Sequence, residues 1–308
     1  MKYTRFAVLF CLLALLVAVV PAFAQDETFG LSPEDFALFS AANANSAAAQ
    51  SLAYDFTLDL TVAGIEDTEV SGSINGTGEL STADMQFSLA TTGSLTANGE
   101  ETPTIVEVRV IGDMVYFNIG EGWQGSKLED LAATAGGAAG LPVNPEDLAS
   151  GDLSGMGDMG GMMGDLATLD STEYVSMERL DDMDGRAHFS TALDIAGLLT
   201  SEELSGVVGM ALGGAMGGGS EMTPEQAAQM GQMMGMMFAD ATFTLDQYVN
   251  VETELVDQTV LTINLPLEAI LGAPGAVVSL TFDINLKNFD QPVSIEVPEN
   301  VTMVESGS

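Results

Sequence analysis

Cysteine is nearly absent. Cys11 is the only thiol in 308 residues, so the body of the chain forms no disulfide, no thiolate metal site and no thiol nucleophile. Histidine is as scarce: His188 is alone, and any triad, His-based metal site or His general base would have to use it. No G-x-S-x-G elbow accompanies it, and a surface or hairpin histidine is the simpler reading. Basic residues number seven against 45 acids, a formal charge of −38. That scarcity excludes nucleic acid as a partner, because phosphate binding needs Lys and Arg, and it disfavours docking on anionic lipid head groups. A membrane-spanning run is missing too. The longest apolar stretch, Phe6 to Val20, is 15 residues, short of the roughly 20 a bilayer requires. The Gly-rich run Gly213 to Gly219 lacks the Lys-Ser/Thr ending of a phosphate loop.

What the leader does have is the layout of an export signal. Lys2 and Arg5 make a basic start, Phe6 to Val20 an apolar middle, Pro21 a break, and Ala22-Phe23-Ala24 the small residues at a cleavage site. The expectation is cleavage after Ala24 and a secreted or extracytoplasmic protein. Cys11 sits inside the apolar run behind Leu9-Phe10, where lipidation calls for small residues and a completed run, so the expected product is untethered. Losing the two leader cations takes the charge to about −40. With 46% hydrophobic residues, this acidity signals solubility and self-repulsion, not disorder.

The remainder, residues 25–308, reads as one α+β domain. Ser32-Pro33-Glu34-Asp35 starts a helix with a cap, a proline at its first position and acids in its first turn. Phe36 and Phe39 then face one way. Tyr54, Phe56, Leu58, Leu60 and Val62 alternate with Asp55, Thr57, Asp59 and Thr61, a strand with one buried and one wet face. Met85-Phe87-Leu89 and Val106-Val108-Val110 repeat the pattern, and Gly112-Asp113 turns the chain into Met114-Val115-Tyr116-Phe117. Capping boxes at Ser126-x-x-Glu129, Thr200-x-x-Glu203 and Thr223-Pro224-x-Gln226 predict helices in two Gly/Met-rich insertions, at about 126–170 and 200–239. Leu204, Val207 and Val208 share a face of the second. Between the insertions, strands over 174–180 and 187–193 join at Asp184-Gly185. Strands around Phe243-Leu245, Leu261-Ile263-Leu265 and Leu280-Phe282-Ile284-Leu286 follow. Val293 to Val297, bracketed by Pro292 and Pro298, reads as a short edge strand. About ten strands and four helices imply a long, curved antiparallel sheet, an open half-barrel, wrapped over helices.

Two motifs resemble the LolA-like superfamily and, within it, the LppX/LprG group of exported lipid carriers. One is Val106-Glu107-Val108-Arg109-Val110-Ile111-Gly112-Asp113-Met114-Val115-Tyr116-Phe117 with Gly122-Trp123 beyond it. The other is Phe289-Asp290-Gln291-Pro292-Val293-Ser294-Ile295-Glu296-Val297-Pro298. The order of strands around a helical excursion is similar as well. The lipobox cysteine of the mycobacterial lipoproteins is missing here, and the Gly/Met-rich insertions are not part of the pattern. The resemblance implies an apolar cavity between sheet and helices that shields acyl chains.

Acid pairs such as Glu202-Glu203 and Asp181-Asp182 read as solvated faces, and Asp181-Asp182-x-Asp184-Gly185 reads as a hairpin turn, without the full ligand spacing of a calcium loop. The methionines are the unusual component: 18 in all, with Met230, Met233, Met234 and Met237 on one face of a predicted helix beside Phe238. Three readings stand. They are core packing within low-complexity sequence, a pliable apolar lining, or thioether capture of Cu(I). The leading expectation is a non-enzymatic carrier with no cofactor. It would hold a lipid or other apolar molecule against Phe36, Phe39, Leu204, Val207, Val208, the four methionines and Phe238. A Cu(I)-binding module and a ligand-free structural or interaction domain of the cell envelope are the alternatives.

Overall fold

A computed structural model of the chain describes residues 28–65, 68–128, 173–200, 235–236, 238–268 and 272–304. Among the described residues twelve strands form one sheet. They are β1 (Ser51–Ile65), β2 (Thr68–Ser81), β3 (Gln86–Ala97), β4 (Glu100–Ile111), β5 (Met114–Asn118), β6 (Gln124–Lys127), β7 (Val175–Met183), β8 (Arg186–Leu193), β9 (Thr242–Asn250), β10 (Leu255–Pro266), β11 (Val277–Lys287) and β12 (Thr302–Met303). Helix α1 spans Pro33–Ala48 and the short helix α2 spans Ile195–Thr200.

The strand order is β12-β6-β5-β4-β3-β2-β1-β11-β10-β9-β8-β7. Every pairing is antiparallel except β12 with β6. The sheet is curved and open, and β1 and β11 join its two halves over eleven paired positions. This is the expected antiparallel half-barrel, with two more strands than the sequence predicts.

Because side chains alternate along every strand, the register sorts the residues into two faces. Leu58 lies opposite Phe282 and Ile74, and Phe56 opposite Ile284 and Gly76. Asp55, Thr57 and Asp59 fall on the other side beside Asn285, Asp283 and Thr281. One face is therefore apolar from β9 to β3 and the other polar.

Helix α1 covers one end of the apolar face. Ser32 caps it, its Oγ accepting from Asp35 N at 3.1 Å. The inner stripe changes character along the helix. Phe39 and Ala42 pack with Phe29, Leu31, Met177, Ala187, Phe189, Val249 and Val256, and Phe36 leans on the same cluster. Further on, Ser46 Oγ accepts from Val256 N at 2.9 Å and Asn45 Nδ2 donates to Glu254 O at 3.1 Å. Apolar packing seats the first half of the helix and hydrogen bonds to the strand ends seat the second. Arg179, on β7, adds an ion pair to Asp35 at 2.7 Å and lies over the Phe189 ring.

Several expectations are corrected. Strand β2 was not legible in the sequence, because Gly72, Gly76 and Gly78 stand where an alternating strand would carry apolar side chains. Val293 to Val297 is not a strand. Pro292 and Pro298 have no N–H to give to a ladder, and the segment instead crosses the polar face, with Ile295 N donating to Gln86 Oε1 and Arg109 Nη1 donating to Glu296 O at 2.7 Å. Ser126 is a buried residue of β6, and Glu129, its partner in the expected capping box, lies outside the described residues. Thr200 is itself a residue of α2, its hydroxyl donating to Ala196 O and Gly197 O, and Glu203 of its expected capping box lies outside the described residues. Asp194 supplies the helix N-terminal contact, to Gly197 N at 2.8 Å.

Candidate functional site

The apolar face beyond α1 is the main candidate. Its centre is a second cluster: Leu58, Leu261 and Phe282 are buried, while Phe56, Ile74, Leu245, Ile263, Leu280 and Ile284 pack around them only partly buried. Half-buried apolar side chains in a row across β9, β10, β11, β1 and β2 form a surface that aliphatic chains can lie on.

An aromatic band extends this surface. Phe282 meets Phe56 at 5.4 Å between ring centroids, Phe56 meets Tyr54 at 6.5 Å, and Tyr54 meets Phe87 at 6.3 Å. The glycines of β2 make it possible. A Cβ on Gly76 would lie 2.3 Å from the Phe56 ring, and one on Gly78 would lie 2.4 Å from the Tyr54 ring. Both rings therefore lie down over the β2 backbone. Tyr54 completes its polar end by donating to Ser88 O at 2.8 Å.

Burial pushes the Tyr54 hydroxyl above the usual tyrosine range, and the sign of the consequence follows. Near neutrality both folded and unfolded states keep the proton. Above about pH 10 the unfolded chain loses it while the folded one does not, so the unfolded state binds fewer protons and stability falls as pH rises. Urea unfolding at about pH 8 and about pH 11 is expected to show this loss. Tyr54→Phe should lower stability by about 1 kcal/mol at the lower pH, for the lost hydrogen bond, and flatten the alkaline decline. An unchanged alkaline slope in Tyr54→Phe would assign the decline to other groups.

The polar face carries a cleft of about 540 Å³ beneath the crossing segment 288–298, lined by Thr77, Glu79, Ser88, Glu107, Arg109 and Lys287 among others. Both of its cations are engaged. Lys287 pairs with Asp55, and Arg109 holds Glu296 O and lies 5.0 Å over the Trp123 ring. The two sequence motifs thus meet here, Arg109 of the first, lying over Trp123, donating to Glu296 O of the second. The wall of the cleft is mixed, with charged side chains beside Ala53, Leu89, Ala90 and Ile295, unlike a wholly apolar seat for an acyl chain.

His188 is not a surface residue. It is 9% exposed on β8, Nε2 3.1 Å from Asp246 Oδ1, with its ring stacked 4.4 Å from Tyr248. Arg186 lies over the same tyrosine and donates to Gln258 Oε1, and Gln258 donates to Asp283 at 2.9 Å. The imidazole belongs to a row of polar contacts across β8 to β11. Among the described residues no hydroxyl is hydrogen-bonded to it, and no group of three or more His, Cys, Asp or Glu side chains could hold a metal ion. The Asp184-Gly185 turn is present, with φ of 53° and 77°.

Of the predicted lining residues, Phe39 is in the packed core, edge-on to Phe189 at 5.4 Å between centroids, with Phe36 beside it. Phe238 is half-buried in the turn before β9, its carbonyl accepting from Ala241 N. Ala24, Leu204, Val207, Val208, Met230, Met233, Met234 and Met237 lie outside the described residues. Sequence reasoning missed Phe56, Phe87 and Phe282 as a band, since only the register brings their strands side by side.

No protein-family model matches the sequence, and no curated protein is detectably similar to it. Solved structures similar to this one include LprF from Mycobacterium bovis, at TM-score 0.31 and 12% identity over 87% of this chain and 99% of that one. They also include a LolA superfamily protein from Nitrosomonas europaea, at TM-score 0.21 and 10% identity over 82% and 93%. A third is a beta-barrel-like protein from Brucella abortus, at TM-score 0.20 and 8% identity over 78% and 100%. These include the group that the two motifs resemble, at similarities too low to bear on function. Among the described residues no helix is long and apolar enough to cross a membrane.

Proposed function

We propose that this chain is an exported, non-enzymatic carrier that holds a lipid or other apolar molecule against the apolar face of its sheet. The observation that carries the proposal is the unequal cover of that face. One end is packed under α1, while Phe56, Ile74, Leu245, Ile263, Leu280 and Ile284 remain only partly buried. In this reading Phe36 and Phe39 form the closed end. Phe238, the apolar positions 204, 207 and 208, and Met230, Met233, Met234 and Met237 supply the facing wall, thioethers suiting ligands of varied shape. Export follows cleavage after Ala24. Burial stabilises the bound chain by roughly 0.8 kcal/mol per CH₂, so length and not head-group charge sets most of the affinity. A surface of net charge near −40 keeps the loaded protein soluble.

Native mass spectrometry of the purified protein, with an organic extract of the same sample, tests the proposal. The expected result is a retained apolar ligand, or uptake of a fluorescent fatty acid by the extracted protein. An empty extract together with no uptake would overturn it.

A further inference from the structure

On the apolar face, at the seam between its covered and open halves, lies one polar side chain whose bonding is incomplete. Gln247 of β9 is 5% exposed. Its strand neighbours on that face belong to different clusters, Val249 to the one under α1 and Leu245 to the open one. Across the sheet it stands between Phe189 of β8 and Thr259 of β10. Its Nε2 donates to Asn43 Oδ1 of α1 at 3.2 Å. Its Oε1 is buried and accepts from no donor among the described residues, Thr259 included.

The orientation of this amide is forced. Asn43 Nδ2 donates to Phe39 O at 2.9 Å within α1, so Asn43 presents its oxygen to the sheet and Gln247 must meet it with nitrogen. Turning Gln247 over would set two oxygens against each other. The chain Phe39 O, Asn43, Gln247 therefore leaves one carbonyl oxygen in an apolar setting. A buried acceptor without a donor is destabilising, and a ligand lying beside Leu245 would pass next to this residue.

We infer that Gln247 is the polar anchor of the apolar face and selects ligands bearing a hydrogen-bond donor, a hydroxyl or an amide N–H, on an aliphatic chain. The inference rests on the carrier reading above. A site otherwise lined by hydrocarbon accepts any chain. One fixed acceptor rejects analogues that cannot donate, because they leave it unpaired.

Displacement of the apolar fluorophore N-phenyl-1-naphthylamine by hexadecanol, hexadecyl methyl ether and hexadecane tests this on the full exported chain. The three differ little in apolar length, and only the alcohol donates. Hexadecanol is expected to bind about tenfold more tightly than the ether, and Gln247→Leu to bring the two within about twofold while hexadecane affinity is kept. If Gln247→Leu does not fold, Gln247→Met, of similar length, serves, and the preference of the unmodified protein decides without either variant. Equal binding of alcohol and ether overturns the anchor and leaves the carrier standing, the carbonyl then keeping a water. A preference that survives in both variants also overturns it. Failure of all three chains to bind overturns the carrier and the anchor together.

Discussion

Replacing Phe189 by alanine is expected to lower stability by about 3–5 kcal/mol, the range for emptying a fully packed aromatic site. The ring has no exposed surface. It meets Phe39 of α1 edge-on, supports the Arg179 guanidinium at 5.3 Å, and closes the cluster that fixes α1 to the sheet. A 16-residue helix with two Asn and two Ser, poor helix formers, is marginal by itself, so its order depends on this cluster. The measurable result is a lower urea midpoint at unchanged slope and a fall in melting temperature on the order of 10 °C. Amides of α1 should lose hydrogen-exchange protection ahead of those in β1 and β11. A change under about 1 kcal/mol would mean that α1 is held by other contacts.

Gly78→Ala is expected to destabilise by about 3 kcal/mol, although a glycine inside a strand is ordinarily worse than alanine by roughly 0.5–1 kcal/mol. The reversal of sign comes from crowding on both sides. The new Cβ would meet Ser88 O at 2.1 Å and the Tyr54 ring at 2.4 Å. The first is backbone and yields only by spreading β2 from β3. The second would lift Tyr54 off the sheet, opening its hydrogen bond to Ser88 O and its stacking on Phe56 and Phe87. Gly72→Ala is the comparison, since the nearest atom there is Leu95 Cδ1 at 2.9 Å, the end of a side chain that can turn. It should stay within about 1 kcal/mol. Equal effects of the two substitutions in urea unfolding would remove the role assigned to the glycines as seats for the aromatic band.

How far these features were legible in the sequence varies by residue. The helix at Ser32-Pro33, the turns at Gly112-Asp113 and Asp184-Gly185, and the strand Tyr54 to Val62 each rest on chemistry within a few positions, and each is present. Strand β2 rests on its neighbours. Its glycines carry no pattern of their own, and Phe56 and Tyr54 of β1 fill the space above Gly76 and Gly78. The same holds for Thr200, whose hydroxyl can cap a following turn or close a preceding one. In the structure it donates back to Ala196 O and Gly197 O within α2, whose N-terminus Asp194 caps at Gly197 N.

The scarce cations illustrate the limit from the other side. Composition alone shows that they are too few for phosphate binding. Only the folded chain shows where they are used: Arg109 clamping the C-terminal segment, Arg179 joining α1 to β7, Arg186 joining β8 to β10 and Lys287 meeting Asp55. Likewise the two motifs quoted from the sequence are structural partners, Arg109 lying over the Trp123 ring and holding the backbone at Glu296.

The sequence by itself determined the acidity, the antiparallel strands and the existence of one apolar face. These follow from composition and from the two-residue alternation, which need no partner to be read. The tertiary structure decided where that face is covered, which rings lie side by side on it, and that Gln247 is left with an unmatched carbonyl. Those properties depend on register between strands far apart in the chain. A shift of one residue in that register would exchange the two faces, and no local pattern records it.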